Sequence, residues 1–111
     1  MGVDPNLGSC YHEHMRIISR KALRECWDKH PNSKKPLQAW YADAKQARWK
    51  SPNDIKKIYC NASIVANNRV VFNIKGNDYR LVAAINYDFE VLYIRFVGTH
   101  KEYDIIDVTK V

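Results

Sequence analysis

The feature that most constrains this chain is a change of hydrophobic period near residue 62. Up to Tyr59 the apolar residues recur every three or four positions; from Ala62 onward they alternate. The first spacing suits helices with one buried stripe, the second suits strands with one buried face. A short strand over 15–19 (MRIIS) precedes the helices. Ser19 is then expected to cap a helix over 20–30, with Leu23, Cys26 and Trp27 on its apolar stripe. The HPNSKKP segment breaks that helix. Pro36 belongs in the first turn of a second, whose stripe is Leu37, Trp40, Tyr41, Ala44 and Ala47. Ser51, Pro52 and Asp54 read as the cap, first residue and capping-box acid of a third, short helix. Ile55, Ile58 and Tyr59 would face inward there, with Lys50, Lys56 and Lys57 outside.

Turn signals at Asn67-Asn68, Gly76-Asn77 and Tyr87-Asp88 divide the rest into strands near 62–66, 69–75, 78–86 and 90–97. Short turns imply antiparallel neighbours. Helices followed by strands give an α+β fold, with the helices packed on one face of a small, mostly antiparallel sheet. Alternation places Val70, Phe72 and Ile74, then Tyr79, Leu81, Ala83 and Ile85, then Leu92, Ile94 and Phe96 toward the helices. The opposite face receives Arg69, Val71, Asn73 and Lys75, then Arg80, Val82, Ala84 and Asn86, then Val91, Tyr93, Arg95 and Val97. That face is half apolar and basic. Guanidinium groups among valines suit an anion; the other reading is a wet sheet face whose arginines pair with Asp78, Asp88 or Glu90.

With 111 residues, one domain is expected. Residues 1–14 read as an appended or misassigned start, with Met15 as the first residue of the domain and 15–111 as its extent. The start lacks the charged and apolar regions of a secretory signal, and no apolar run is long enough to span a bilayer. Three cysteines, Cys10, Cys26 and Cys60, show no zinc-ligand spacing and read as reduced thiols. Eighteen Lys and Arg against twelve Asp and Glu leave a net charge of +6. A domain this basic suits phosphate partners, RNA among them.

The strand over 90–97 runs into FVGTHKEYD (96–104), which gathers a histidine, a tyrosine and an aspartate next to Arg95. There is no P-loop, GxGxxG, GxSxG or HExxH. A metal-free reaction fits the residues present: a base takes the proton of an RNA 2′-hydroxyl, and the alkoxide attacks the adjacent phosphorus. Arginines offset the growing charge, and an acid protonates the leaving 5′-oxygen. His100 can exchange the proton, Arg80 and Arg95 can hold the phosphodiester, Tyr103 can orient or stack, and Asp104 can fix the histidine or act as a base itself.

The segment 67–104 (NNRVVFNIKGNDYRLVAAINYDFEVLYIRFVGTHKEYD), with RIISRKALRECWDKHP and WKSPNDIK upstream, resembles the HigB toxins of the RelE-like superfamily over about residues 15–107. The resemblance implies a RelE-like fold and a cytoplasmic, ribosome-dependent endoribonuclease that cuts mRNA in the ribosomal A site without a metal or other cofactor. It implies silencing by a HigA-type helix-turn-helix antitoxin, through which the complex reaches operator DNA. Matched position by position, it assigns Arg80 and Arg95 to phosphate binding, His100 to acid–base work, and Tyr103 and Asp104 to orienting roles. Lys50, Lys56 and Lys57 become ribosomal RNA contacts, and Arg69, Lys75, Tyr93 and Lys101 further RNA-binding positions. Which group is base and which is acid stays open. The alternatives are a non-catalytic RNA-binding module and a co-repressor that has lost cleavage. Neither needs proton-transfer groups beside its arginines.

Overall fold

The computed structural model describes residues 15–76 and 78–111. The expectations for residues 1–14, including Cys10, and for Asn77 in its turn lie outside them. The described chain runs β1 (Arg16–Ile18), α1 (Lys21–Lys29), a 3-10 turn (Pro31–Ser33), α2 (Lys34–Gln46), α3 (Pro52–Ile58), β2 (Ser63–Val65), β3 (Arg69–Ile74), β4 (Tyr79–Asn86), β5 (Val91–Thr99) and α4 (His100–Asp104). The five strands form one sheet in the order β1-β5-β4-β3-β2. All neighbours are antiparallel except β1, which lies parallel to β5. The fold is α+β, as expected, with β1 reaching the far edge of the sheet by way of the chain's first segment.

The two periods produce two layers. Leu23 and Cys26 of α1, Leu37, Trp40 and Ala44 of α2, and Ile55 of α3 are buried against Val70, Phe72, Ile74, Leu81, Ala83, Ile85, Leu92 and Ile94. Phe72 is the centre of this core. The rings of Trp40, Trp49 and Tyr59 approach it with centroids 5.4, 5.9 and 5.2 Å away. Burial and the hydrogen bond to Asp43 push the Tyr59 hydroxyl pKa up, so the phenol stays neutral. Asn67 and Asn68 both adopt positive φ (63° and 61°), and the Arg69 amide donates to the Ala66 carbonyl at 3.4 Å. Two left-handed residues match the twist of a tight hairpin, and asparagine tolerates that conformation better than most side chains.

Four local expectations are corrected. Ser19 does not cap α1 with its side chain: it sits at φ 73°, Arg20 is the cap residue, and the Ser19 carbonyl accepts from the Ala22 amide at 3.1 Å. An immediate turn from strand into helix needs a left-handed residue there. Ser51 occupies the cap of α3 without a side-chain bond, while Asp54 accepts from the Lys50 amide, one residue earlier than a capping box requires. Ile58 is 66% exposed rather than inward, because α3 ends at it. The fourth is in β5. Ala83 pairs with Ile94 and Val82 with Phe96, so Arg95 is an extra residue in a β-bulge. One extra residue reverses the facing of every later position in the strand. Val97 therefore packs on the core, and Phe96 turns to the outer face, the reverse of the simple alternation.

Candidate functional site

The outer face of the sheet ends at α4, where Arg80 of β4 meets Tyr103 beside the His100–Asp104 pair. Thr99 starts α4 with a complete capping box: its hydroxyl accepts from the Glu102 amide at 3.2 Å, and the Glu102 carboxylate accepts from the Thr99 amide at 2.8 Å. The amide bond holds the Glu102 carboxyl below its ordinary value, with a smaller contribution from the Thr99 hydroxyl. The His100 amide donates to the Asp78 carbonyl at 3.2 Å, tying the start of α4 to the β3–β4 turn.

In this one-turn helix His100, Tyr103 and Asp104 are spaced to share a side. His100 Nδ1 and Asp104 Oδ2 are 3.0 Å apart. A carboxylate accepts, so the hydrogen of this bond sits on Nδ1; in the neutral ring Nε2 is then the acceptor. Arg80, half-buried on β4, places its guanidinium carbon 5.9 Å from the Tyr103 ring centroid. The Phe96 ring, brought outward by the bulge, lies 6.5 Å from the same ring. Arg95, on the bulge, lies 5.4 Å from the ring of Tyr93, and both side chains are exposed. Opposite Arg80 stands Gly98. A Cβ there would fall 2.7 Å from Glu102 Oε1 and 2.8 Å from Phe96 Cζ, so glycine is what lets α4 and Phe96 close over this end of the sheet.

The remaining expected positions divide. Lys101 is exposed on α4, and Lys75, at φ 53° in the β3–β4 turn, pairs with Asp78 at 3.3 Å near the start of α4. Arg69 belongs to the outer face but is held by the chain itself. It donates to the Asn67 carbonyl at 2.9 Å and the Val111 carbonyl at 2.7 Å, while Asn67 donates to the Thr109 carbonyl at 3.3 Å. The segment after α4 thus returns across the outer face from one end of the sheet to the other. Val71 and Val82 also point outward, yet are 3% and 0% exposed. Lys50, Lys56 and Lys57 are not brought to α4. Lys50 pairs with Glu90 at 3.6 Å, Lys57 with Asp54 at 3.8 Å, and the Lys56 ammonium donates to the Cys60 and Ala62 carbonyls, both at 2.8 Å. Asp78 and Glu90, two of the three carboxylates considered for the arginines, are thus bound to lysines.

Phe96 and the Thr99–Glu102 pair were not among the expected site residues. Nothing in an uninterrupted alternation signals a bulge, so Phe96 was hidden. The capping box was readable as Thr-x-x-Glu in residues 99–102.

The chain is similar to known proteins over most of its length. The mRNA interferase toxin HigB of Escherichia coli strain K12 is 34% identical over 92 residues, covering 81% of this chain and 88% of the relative. The mRNA interferase HigB of Shigella flexneri matches at the same 34% over the same extent. The mRNA interferase HigB of Escherichia coli O6:H1 is 28% identical over 92 residues, covering 81% of this chain and 89% of the relative. The family model described as the RelE-like toxic component of a toxin–antitoxin system matches residues 33–106, a span that holds Arg80, Arg95, His100, Tyr103 and Asp104. The chain belongs to the HigB toxin family.

Proposed function

We propose that this chain is an mRNA interferase that cuts transcripts in the ribosomal A site and so stops translation, with residues 15–111 as its toxin domain. The observation that carries the reading is the His100–Asp104 pair at 3.0 Å on the same short helix as the Arg80–Tyr103 contact. Anion-binding and proton-transfer groups meet at one end of one surface. An RNA-binding module has no use for the histidine–carboxylate pair, and the family and the names of the relatives point to mRNA cleavage.

The chemistry follows from the groups present. His100 Nε2 takes the proton of the 2′-hydroxyl, with Asp104 holding the ring in the tautomer that leaves Nε2 open. The 2′-oxygen bonds to phosphorus in line, and the bond to the 5′-oxygen breaks. Arg80 and Arg95 bind the phosphate oxygens and offset the added negative charge. The imidazolium or the Tyr103 hydroxyl gives the leaving oxygen its proton. Tyr93 and Tyr103, each with an arginine over its ring, offer faces on which bases can stack. The reaction uses these side chains alone and no metal. Lys75 and Lys101 flank α4 and suit the RNA strand; Lys50 and Lys57 face away and suit ribosomal RNA.

In the cytoplasm a HigA-type helix-turn-helix antitoxin holds the toxin silent and carries it to operator DNA. Production of the chain without antitoxin is expected to arrest growth and to leave cuts at A-site codons. His100→Ala or Arg95→Ala should relieve both. Unchanged cleavage by both variants would remove the site assignment, and no cleavage by the wild type would remove the function.

A further inference from the structure

On the helix side of the molecule, a groove of about 320 Å³ opens between α1 and α2. It is lined by Arg20, Leu23, Arg24, Trp27, Gln38 and Tyr41. A second depression shares Arg20 and Tyr41 and extends the groove to Arg16, Ile17 and Ile18 on the edge strand β1. The floor is apolar and aromatic, and the rim is cationic. The Arg20 Nη1 donates to the Tyr41 hydroxyl at 2.8 Å, and the Lys45 ammonium stands 5.4 Å from the Tyr41 ring centroid. Three arginines and a lysine therefore surround two aromatic rings on a face that the proposed cleavage does not use.

We propose that this groove is the antitoxin-docking surface, and that its occupant is an acidic segment of the antitoxin with an apolar side chain placed between Trp27 and Tyr41. The inference rests on the family reading for the existence of an antitoxin; the place and the chemistry come from the groove. Carboxylates set against Arg16, Arg20, Arg24 and Lys45 complement the rim, and complementary charge both speeds association and excludes wrong partners. A second copy of this chain is a poor occupant, because it carries the same net charge of +6. His100 and Arg80 do not line the groove.

The test is hydrogen exchange on the chain alone and in complex with the antitoxin co-expressed from its own operon, together with two variants. Antitoxin should protect residues 20–41 and leave 91–104 unchanged. Arg20→Glu combined with Arg24→Glu should weaken antitoxin binding by about tenfold or more, with mRNA cleavage on translating ribosomes intact. Arg24→Glu alone applies the same reversal at an exposed position without touching the Arg20–Tyr41 bond. Protection centred on β5 and α4 would overturn the proposal, as would wild-type antitoxin affinity in both variants. Loss of ribosome association with antitoxin binding intact would assign the groove to RNA, and a wild-type homodimer lost on charge reversal would assign it to a second copy; either overturns it. A chain that cleaves no mRNA yet is protected at 20–41 removes the function reading and leaves the docking surface standing.

Discussion

At the scale of single residues, the proposed site rests on Arg80, Arg95 and His100, and its packing on Gly98. Arg80 faces Tyr103, and His100 faces Asp104. Removing His100 with alanine is expected to lower single-turnover cleavage by about 10² to 10⁴, the usual worth of general acid–base catalysis. Arg80→Lys should keep charge but lose the planar contact with Tyr103, and fall between wild type and Arg80→Ala in the same assay. Gly98→Ala tests the packing. With 2.7 and 2.8 Å approaches waiting for a Cβ, it should destabilise the fold by about 1–3 kcal/mol in a denaturant titration. Lys56 belongs to a different class, since its ammonium closes the turn after α3. Lys56→Ala should lower stability more than it lowers ribosome association.

At the scale of elements, α4 is short enough that its cap decides whether it forms. Thr99→Ala removes the hydroxyl acceptor and should cost about 1 kcal/mol, seen as faster amide exchange in α4. Glu102 adds a pH dependence of known sign. Its folded pKa lies below the ordinary 4.5, chiefly through the Thr99 amide. The cap's contribution is then complete above the ordinary glutamate range and is lost as pH falls through the lowered value. Amide exchange in α4 should accelerate in that acid window, and Glu102→Gln should remove the dependence. The elements themselves were largely legible in the sequence, because a stripe at helical spacing and a clean alternation each admit one local structure. Strands expected at 69–75 and 78–86 appear at 69–74 and 79–86. The bulge at Arg95 was not legible, because Val91 to Val97 is compatible with an unbroken strand. It is a property of the β4–β5 pairing. Ser19 and Asp54 failed as caps for a similar reason: residue type favoured a cap, but the geometry of the adjoining turn set which backbone group was within reach.

For the whole molecule, the two proposals give the helix layer and the outer sheet face separate tasks. Phe72 joins α2 and α3 to the sheet through three aromatic neighbours, and Phe72→Ala should cost about 3–5 kcal/mol in thermal or denaturant unfolding. The basic outer face was readable from alternation alone. The return of the chain across it was not, because only the tertiary structure brings Thr109 and Val111 to Asn67 and Arg69. That return leaves a strip beside α4, with Arg80, Arg95, Tyr93 and Tyr103, which the proposed function takes as the RNA path. Association with the ribosome should weaken linearly in log affinity against log salt, and each phosphate-binding arginine or lysine removed should lessen the slope by nearly one unit. The central claim is that the junction of β5 and α4 cleaves mRNA. It is tested most directly by mapping cut sites on a translated transcript with wild type and His100→Ala. Cuts at A-site codons are expected with the wild type, and none above background with His100→Ala at equal ribosome occupancy. The same cuts from both proteins would contradict it.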